Sequence, residues 1–573
     1  MTGKPPTSES PPPNQDAFSG TQDLNLTITL GGEVGAANDA SVNRFRSAPF
    51  DSLAWLRADL TGERVSEFDD KGGHILCRPF KSYSGDISGR FIEVMALNSH
   101  GSHDVHPALK ELLDEVPKAQ RPGGYFAASG IIDWEQPIDF TAPGCGFMMP
   151  ALWGNARMLC GLVEAIRAFN DPALLESAKK LGDFYVALLP RFADPARMND
   201  YTGGDTYAAG YVTCYFPAME GLVKLHRLTG EGKYLDTALA MAEFYRSFDR
   251  LPIDHAHGML CNQVSLLLLY EETNETQYLE RVEKRWDELV ECGYVNSAKG
   301  ILEKCRVVFP RDEGCALVDW LRLNLALARN TENPRYFEMA ERTLHNHFLQ
   351  NQSANGGFGH RQILCDDGGP VGFGHDIEEA TWCCTFHGQL GFVNLRPDLV
   401  KLSGDALTCN FALDFTRADG NAKVVSEILP EASAGEVMRQ RIRLSGQPAR
   451  VVCVRQPHWA DALKAVDADG AELEVSLKDG FVATTKPASE VVFVFTGGVY
   501  AETRQGKRLP AGPVEGQPCA LGYGPKVLAT LDHNPTLPAW PTTLDELNKH
   551  GFKAFDAAMR TQDCRFVIGG KAA

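Results

Sequence analysis

Two stretches of this 573-residue chain carry residue types that could do chemistry together. One reads Glu313-Gly314-Cys315; the other is the adjacent pair Cys383-Cys384, about seventy residues later. Three thiols and one carboxylate from two segments can close a tetrahedral zinc site, because thiolates suit zinc. A thiolate on such a metal stays deprotonated at neutral pH and is a nucleophile without a separate base. With 15 cysteines in the chain, composition alone yields about 0.4 adjacent pairs. Two thiols buried as small hydrophobes are therefore the plain alternative, and the surroundings must decide.

Composition narrows the field. A chain of this length splits into two to four domains. With 44% hydrophobic and 23% charged residues the composition is that of a soluble globular protein, and a formal charge of −18 disfavours nucleic acid and anionic membranes as partners. A small carbohydrate or glycoside is compatible with it. No run of eighteen uncharged apolar residues occurs, so no spanning segment is expected. The first twenty residues, rich in Pro and Ser, read as a disordered tail without the apolar core of a secretory signal. Irregularly spaced cysteines fit reduced thiols, and a cytoplasmic location is expected.

The elements that must position these residues begin with a repeat. Four turns, Asn170-Asp171-Pro172, Thr229-Gly230-Glu231, Thr273-Asn274-Glu275 and Thr331-Glu332-Asn333, each lead to an apolar pair. Each follows an apolar helix (Trp153 to Phe169, Tyr211 to Leu228, Met259 to Glu272, Cys315 to Asn330) and precedes a more charged one. Helical hairpins whose first members are hydrophobic nearly all round suit an inner ring covered by an outer one. An (α/α)6-type toroid is expected over 51–398, with polar groups at the mouth where inner helices begin. From about Lys401 short alternating strands take over, predicting an antiparallel β-sandwich over 399–535 and a C-terminal extension over 536–573. The segment 21–50 contains alternating Leu24 to Leu30, expected to join the sandwich.

Taken together, Glu313-x-Cys315, Cys383-Cys384, the toroid-then-sandwich order, Arg455-Gln-Pro-His-Trp459-Ala460 and Leu521-Gly-Tyr-Gly524-Pro525 resemble glycoside hydrolase family 127, whose founding activity is β-L-arabinofuranosidase. The resemblance spans roughly residues 45 to 530. It implies zinc held by Glu313, Cys315, Cys383 and Cys384. It implies Cys383 as the nucleophile of a retaining, two-step glycoside hydrolysis, with an upstream glutamate as acid and then base. Glu303 is the candidate for that glutamate and Asp312 the fallback, with Glu378 and Glu379 as supporting or mouth residues. The chain departs from the family after the cysteine pair, where Thr385-Phe386-His387-Gly388 stands in place of a proline-rich turn. Tyr215 and Asn262 stand where the family places sugar-binding histidines, so a substrate other than a plain β-L-arabinofuranoside is expected.

His257, Asn262, Tyr215, Asn155 and His375 are the candidate sugar contacts. His255 and His360 are further mouth residues, and His387 is expected to be a core histidine bonded to backbone. Trp153 reads as core. No organic cofactor is expected, since no phosphate-binding or dinucleotide pattern occurs. A homodimer is compatible with the sequence. Two other readings stay open: a carbohydrate isomerase or lyase on the same toroid, and a non-catalytic carbohydrate-binding protein whose closed four-ligand zinc is structural.

Overall fold

The computed structural model describes residues 26–62, 83–99, 105–128, 148–194, 196, 207–251, 255–304, 311–361, 363–364, 371–373, 377–503, 505–509, 512, 519–530, 543–554 and 564–566. The described helices, in chain order, begin with α1 (Gly32–Arg44), α2 (Leu53–Thr61), α3 (Asp86–Ser99), α4 (Pro107–Ala119), α5 (Met148–Phe169) and α6 (Pro172–Phe192). They continue with α7 (Ala218–Thr229), α8 (Gly232–Tyr245), α9 (Ala256–Thr273), α10 (Thr276–Glu291), α11 (Gly314–Thr331), α12 (Pro334–Thr343), α13 (Cys384–Leu395) and α14 (Leu544–Lys549).

Six of these close a ring: α3 packs on α5, α5 on α7, α7 on α9, α9 on α11, α11 on α13, and α13 returns to α3. The outer helices α4, α6, α8, α10 and α12 each lie against the inner helix before them in the chain. Their contrast in sequence has a direct cause. Inner α9 buries every residue from Ala256 to Tyr270, whereas outer α10 buries only Val282, Arg285, Trp286, Leu289 and Val290. The closest inner contact, between α3 and α5, is made possible by glycine. A Cβ on Gly89 would lie 2.5 Å from Met158 Cα, and one on Gly161 2.3 Å from the Gly89 carbonyl oxygen.

The repeated turns do one local job. In each, a residue with positive φ (Asn170 at 51°, Gly230 at 72°, Asn274 at 59°, Glu332 at 54°) ends the inner helix. The next residue then starts the outer helix. Asp171 and Asn333 do so by accepting from the N–H groups of Ala173 (2.8 Å) and Arg335 (3.1 Å). The expected helix from Tyr211 to Leu228 is broken. Tyr207–Tyr215 is a wide π-type turn, and α7 starts only after Pro217, whose nitrogen has no proton to donate back to that turn.

Beyond Leu399 the chain forms sheets. Strands Leu26–Leu30, Phe415–Asp419, Ala422–Leu429, Glu436–Ser445, Glu490–Thr496, Ala462–Val466 and Glu472–Leu473 make one seven-stranded sheet, with the first pairing antiparallel to the second. A five-stranded sheet packs into the same core through Leu407, Val452, Val454 and Val482. Its strands are antiparallel except for the parallel pair Ala406–Cys409 and Val451–Arg455. The segment expected as an extension contributes to a third sheet. Strands Phe552–Ala554 and Cys564–Phe566 pair with Lys526–Thr530, and Cys564–Phe566 also pairs with Val371–Phe373 from the segment ahead of the cysteine pair. No described helix is long and apolar enough to cross a membrane.

Candidate metal centre and its surroundings

Two inner helices begin side by side at one mouth of the ring, and the sequence puts thiols at both beginnings. Glu313 is the N-cap of α11 and Cys315 lies in its first turn; Cys383 is the N-cap of α13 and Cys384 its first residue. The free N–H groups and dipole of a helix start favour anions, so both ends suit thiolates. Gly314 lets them meet. A Cβ there would lie 3.0 Å from Cys384 Cβ and 2.8 Å from Asn351 Oδ1.

Glu313, Cys315, Cys383 and Cys384 are all buried, and one ligand atom from each lies within 4.8 Å of every other. The sulfurs of Cys383 and Cys384 are 3.5 Å apart, and those of Cys315 and Cys384 3.7 Å. Thiolates about 2.3 Å from a tetrahedral zinc stand about 3.8 Å from one another, so the observed spacing fits that metal. The protonation pattern fits as well. Burial, Glu303 and Cys383 push the Glu313 carboxyl far above its ordinary range, and burial pushes the Cys384 thiol up to about 11. Burial and the neighbouring sulfurs raise Cys315 likewise. Glu313, Cys315 and Cys384, crowded in a dry site, hold protons until a cation replaces them.

The other expected residues divide into those near this cluster and those elsewhere. Glu303 follows the bridge Leu302–Asp312, its carboxylate forked onto Arg311 at 2.5 and 2.8 Å and the residue only 7% exposed. Asp312 is fully buried. Against the upward push of burial, His347 (3.1 Å) and Arg361 hold its carboxyl below the ordinary range. His255 caps α9, with Nε2 3.8 Å from Glu313 Oε2. His360 lies 3.8 Å from Cys384 Sγ and bonds the Asp312 carbonyl at 3.0 Å. Glu379 ties the segment before the cysteines to α1 through Arg44 at 2.8 and 3.1 Å and takes the Thr385 hydroxyl at 3.0 Å; Glu378 is exposed.

His257 is buried under the cluster, bonded to Asp319 through Nδ1 and to Arg90 through Nε2 at 3.3 Å. His387 faces Arg90 and the His257 ring, 4.7 Å between centroids, instead of a backbone group. The reason is its place on α13, one turn below Cys383, whose carbonyl takes its N–H at 3.2 Å, which sets its ring against residues of α3 and α9. Asn155 is taken up by backbone, accepting from Phe126 N–H at 2.8 Å and donating to Phe126 and Ala151 carbonyls. Asn262 donates to the Val212 carbonyl at 2.9 Å, bracing the π-type turn. Tyr215 stacks on Phe192, ring centroids 5.1 Å apart. None of these three belongs to the four-residue cluster. His375 lies outside the described residues.

The residue that sequence reading missed is Arg90. The spacing Asp86-x-x-x-Arg90, an i,i+4 charge pair on an inner helix, was the available signal. Deeper in the ring, Glu93, Cys160 and Glu220 also approach one another. Arg157 (2.6 Å from Glu93), Arg322 (2.6 Å from Glu220) and Lys224 (3.0 Å from Glu220) already supply the cations there, so that cluster is an ion-pair core and not a metal site.

Comparison with known proteins follows the same lines. A GH127 β-arabinofuranosidase structure superposes with a TM-score of 0.62 at 16% identity, covering 95% of this chain and 94% of that one. A GH127 β-L-arabinofuranosidase from Geobacillus stearothermophilus T6 gives 0.61 at 14% identity, covering 89% and 88%. A third structure, described as a glycoside hydrolase, gives 0.59 at 15%, covering 88% and 82%. At these identities the likeness speaks for the fold. No curated protein matches the chain by sequence. The sequence profile of the GH127 catalytic domain, β-L-arabinofuranosidase, matches residues 78–388, more than half of the chain and inclusive of all four clustered residues. The chain belongs to that family of glycoside hydrolases.

Proposed function

We propose that this protein is a retaining glycoside hydrolase in which Cys383 is the nucleophile and Glu303 the acid and then base, acting on a furanoside or related small glycoside. The convergence of Glu313, Cys315, Cys383 and Cys384 at two helix starts carries the reading. A zinc ion bound by these four residues would keep the cysteines as thiolates at neutral pH.

The chain's own residues divide the work. Among the three thiols Cys383 is the one with surface, 3% exposed against 0% for Cys315 and Cys384, which supports it as the sulfur that reaches a substrate. Its thiolate attacks the anomeric carbon while Glu303 gives a proton to the departing oxygen. Glu303 then takes a proton from water, whose oxygen displaces the sulfur, and two inversions return the original configuration. Arg311 fixes the direction of the Glu303 carboxylate. The small surface of Cys383 also speaks against a purely structural metal, where no ligand needs access.

The test is a pair of variants assayed on aryl furanosides. Cys383→Ser should retain the fold and lose turnover by at least a thousandfold. Glu303→Ala should lose most turnover on poor leaving groups, and on an activated aryl furanoside, where the second step limits, added azide should restore turnover and give a glycosyl azide of retained configuration. Near-normal hydrolysis by Cys383→Ser would exclude the thiolate mechanism. The sugar itself is read out by the same screen across furanosides of both anomers.

A further inference from the structure

The guanidinium of Arg90, on α3, is 1% exposed and lies between the cluster and the ring core. Its donors can be assigned in turn. Nε–H goes to Asp86 Oδ1 at 2.7 Å, an oxygen that also takes Trp153 Nε1–H at 2.9 Å. One Nη2–H faces His257 Nε2 at 3.3 Å, and one Nη1–H faces His387 Nδ1. Arginine has no lone pair to offer, so both ring nitrogens facing it must be the unprotonated ones. His257 then carries its proton on Nδ1, where Asp319 accepts it. Burial lowers the pKa of both imidazoles, in keeping with two neutral rings. The second Nη1–H is left for Cys315 Sγ, 3.8 Å away.

We propose that Arg90 is a positioning residue that donates a charge-assisted N–H···S hydrogen bond to Cys315 and fixes it as the permanent, non-reacting thiolate of the metal centre. This rests on the zinc reading given above. Its physical ground is charge. Three thiolates and a carboxylate around a divalent ion leave two excess negative charges in a dry site, and Arg90 is a permanent cation already buried against one of the sulfurs. His257 and His387 aim it, through lone pairs, and Asp86 anchors it. His257, a sugar reader by type, thereby also has a part in holding one guanidinium.

The experiment uses cobalt(II) as a spectroscopic stand-in for zinc. A hydrogen bond to a thiolate lowers its lone-pair energy, so removing the bond should move the thiolate-to-cobalt charge-transfer band to longer wavelength. Arg90→Met should show that shift and bind zinc at least tenfold more weakly in a chelator competition. Arg90→Lys retains a cation beside Asp86, and so the fold. One ammonium cannot reach Asp86, both imidazoles and the sulfur, so its band should shift in the same direction by less. A folded, cobalt-loaded variant with the wild-type band would overturn the assignment. If neither variant folds, a zinc-loaded wild-type crystal structure decides, and an Arg90 turned away from Cys315 overturns it. Wild-type protein that takes up neither metal overturns the zinc reading and this proposal together; a wild type that loads, with variants whose bands do not move, overturns this proposal alone.

Discussion

Replacing Gly314 by alanine is the smallest change that should disturb the metal centre without touching a ligand. The new methyl group would sit 2.8 Å from Asn351 Oδ1, 3.0 Å from Cys384 Cβ and 3.3 Å from Phe358 Cβ. Asn351 cannot swing away cheaply, because its amide holds Gly359 through two bonds of 3.1 Å. Phe358 is wedged against Phe348 and Phe392. The part that yields is the start of α13, which carries Cys383 and Cys384. Overpacking of this size costs about 1–3 kcal/mol, and alanine in place of glycine in a helix returns about 1 kcal/mol at most. A net loss of about 1–2 kcal/mol, felt in the loaded form, corresponds to roughly 5- to 30-fold weaker zinc binding. A competition titration against a chromophoric chelator measures this, with circular dichroism as the control for fold. Gly314→Ala with wild-type zinc affinity would refute the claim that close approach of the two helix starts builds the site.

Other outcomes follow from the same geometry. Stripping the metal with a strong chelator should lower the melting temperature, with recovery on adding zinc, since the ion binds the folded chain and mass action stabilises that state. Arg44→Met leaves the Glu379 carboxylate, 16% exposed, without its fork and should cost about 1–3 kcal/mol in chemical denaturation, loosening the segment ahead of the cysteines. His345 is buried, with its pKa lowered by that burial. A base depressed in the folded state is neutral there while its unfolded form takes up a proton near pH 6.5, so it contributes stability above that pH that is lost as pH falls. His345→Phe should therefore lose less stability than wild type between pH 7.5 and 5.5, measured by urea titration; an equal loss would show that His345 is not held neutral.

The sequence showed the ring where it repeats. Four hairpins were legible because each turn needs a left-handed residue followed by a capping one, and Asn170, Gly230, Asn274 and Glu332 occupy the same place in it. The sixth inner helix, α13, was harder to place because it packs against α1 from the other end of the chain, leaving no local hairpin to find. The break before α7 was signalled by Pro217, but the apolar run on either side of it masked the interruption. In the site, the four clustered residues were legible because thiols and a carboxylate at helix starts are uncommon in combination. The surroundings were not. Asn155 and Asn262 are polar residues on inner helices, and the backbone carbonyls they bond come from segments far off in sequence, Phe126 and Val212, which no local pattern marks. Arg90 was hidden for the opposite reason, since its spacing from Asp86 signals a charge pair within one helix and gives no hint of the sulfur it meets 225 residues further on.

The central claim is that two distant cysteine segments form one zinc site in which a thiolate can react. The most direct test is the zinc content of protein purified under reducing conditions, by elemental mass spectrometry, beside a Cys315→Ser, Cys384→Ser double variant. One zinc per wild-type chain and a large loss in the variant is the predicted result. A folded, active wild type without zinc would contradict it.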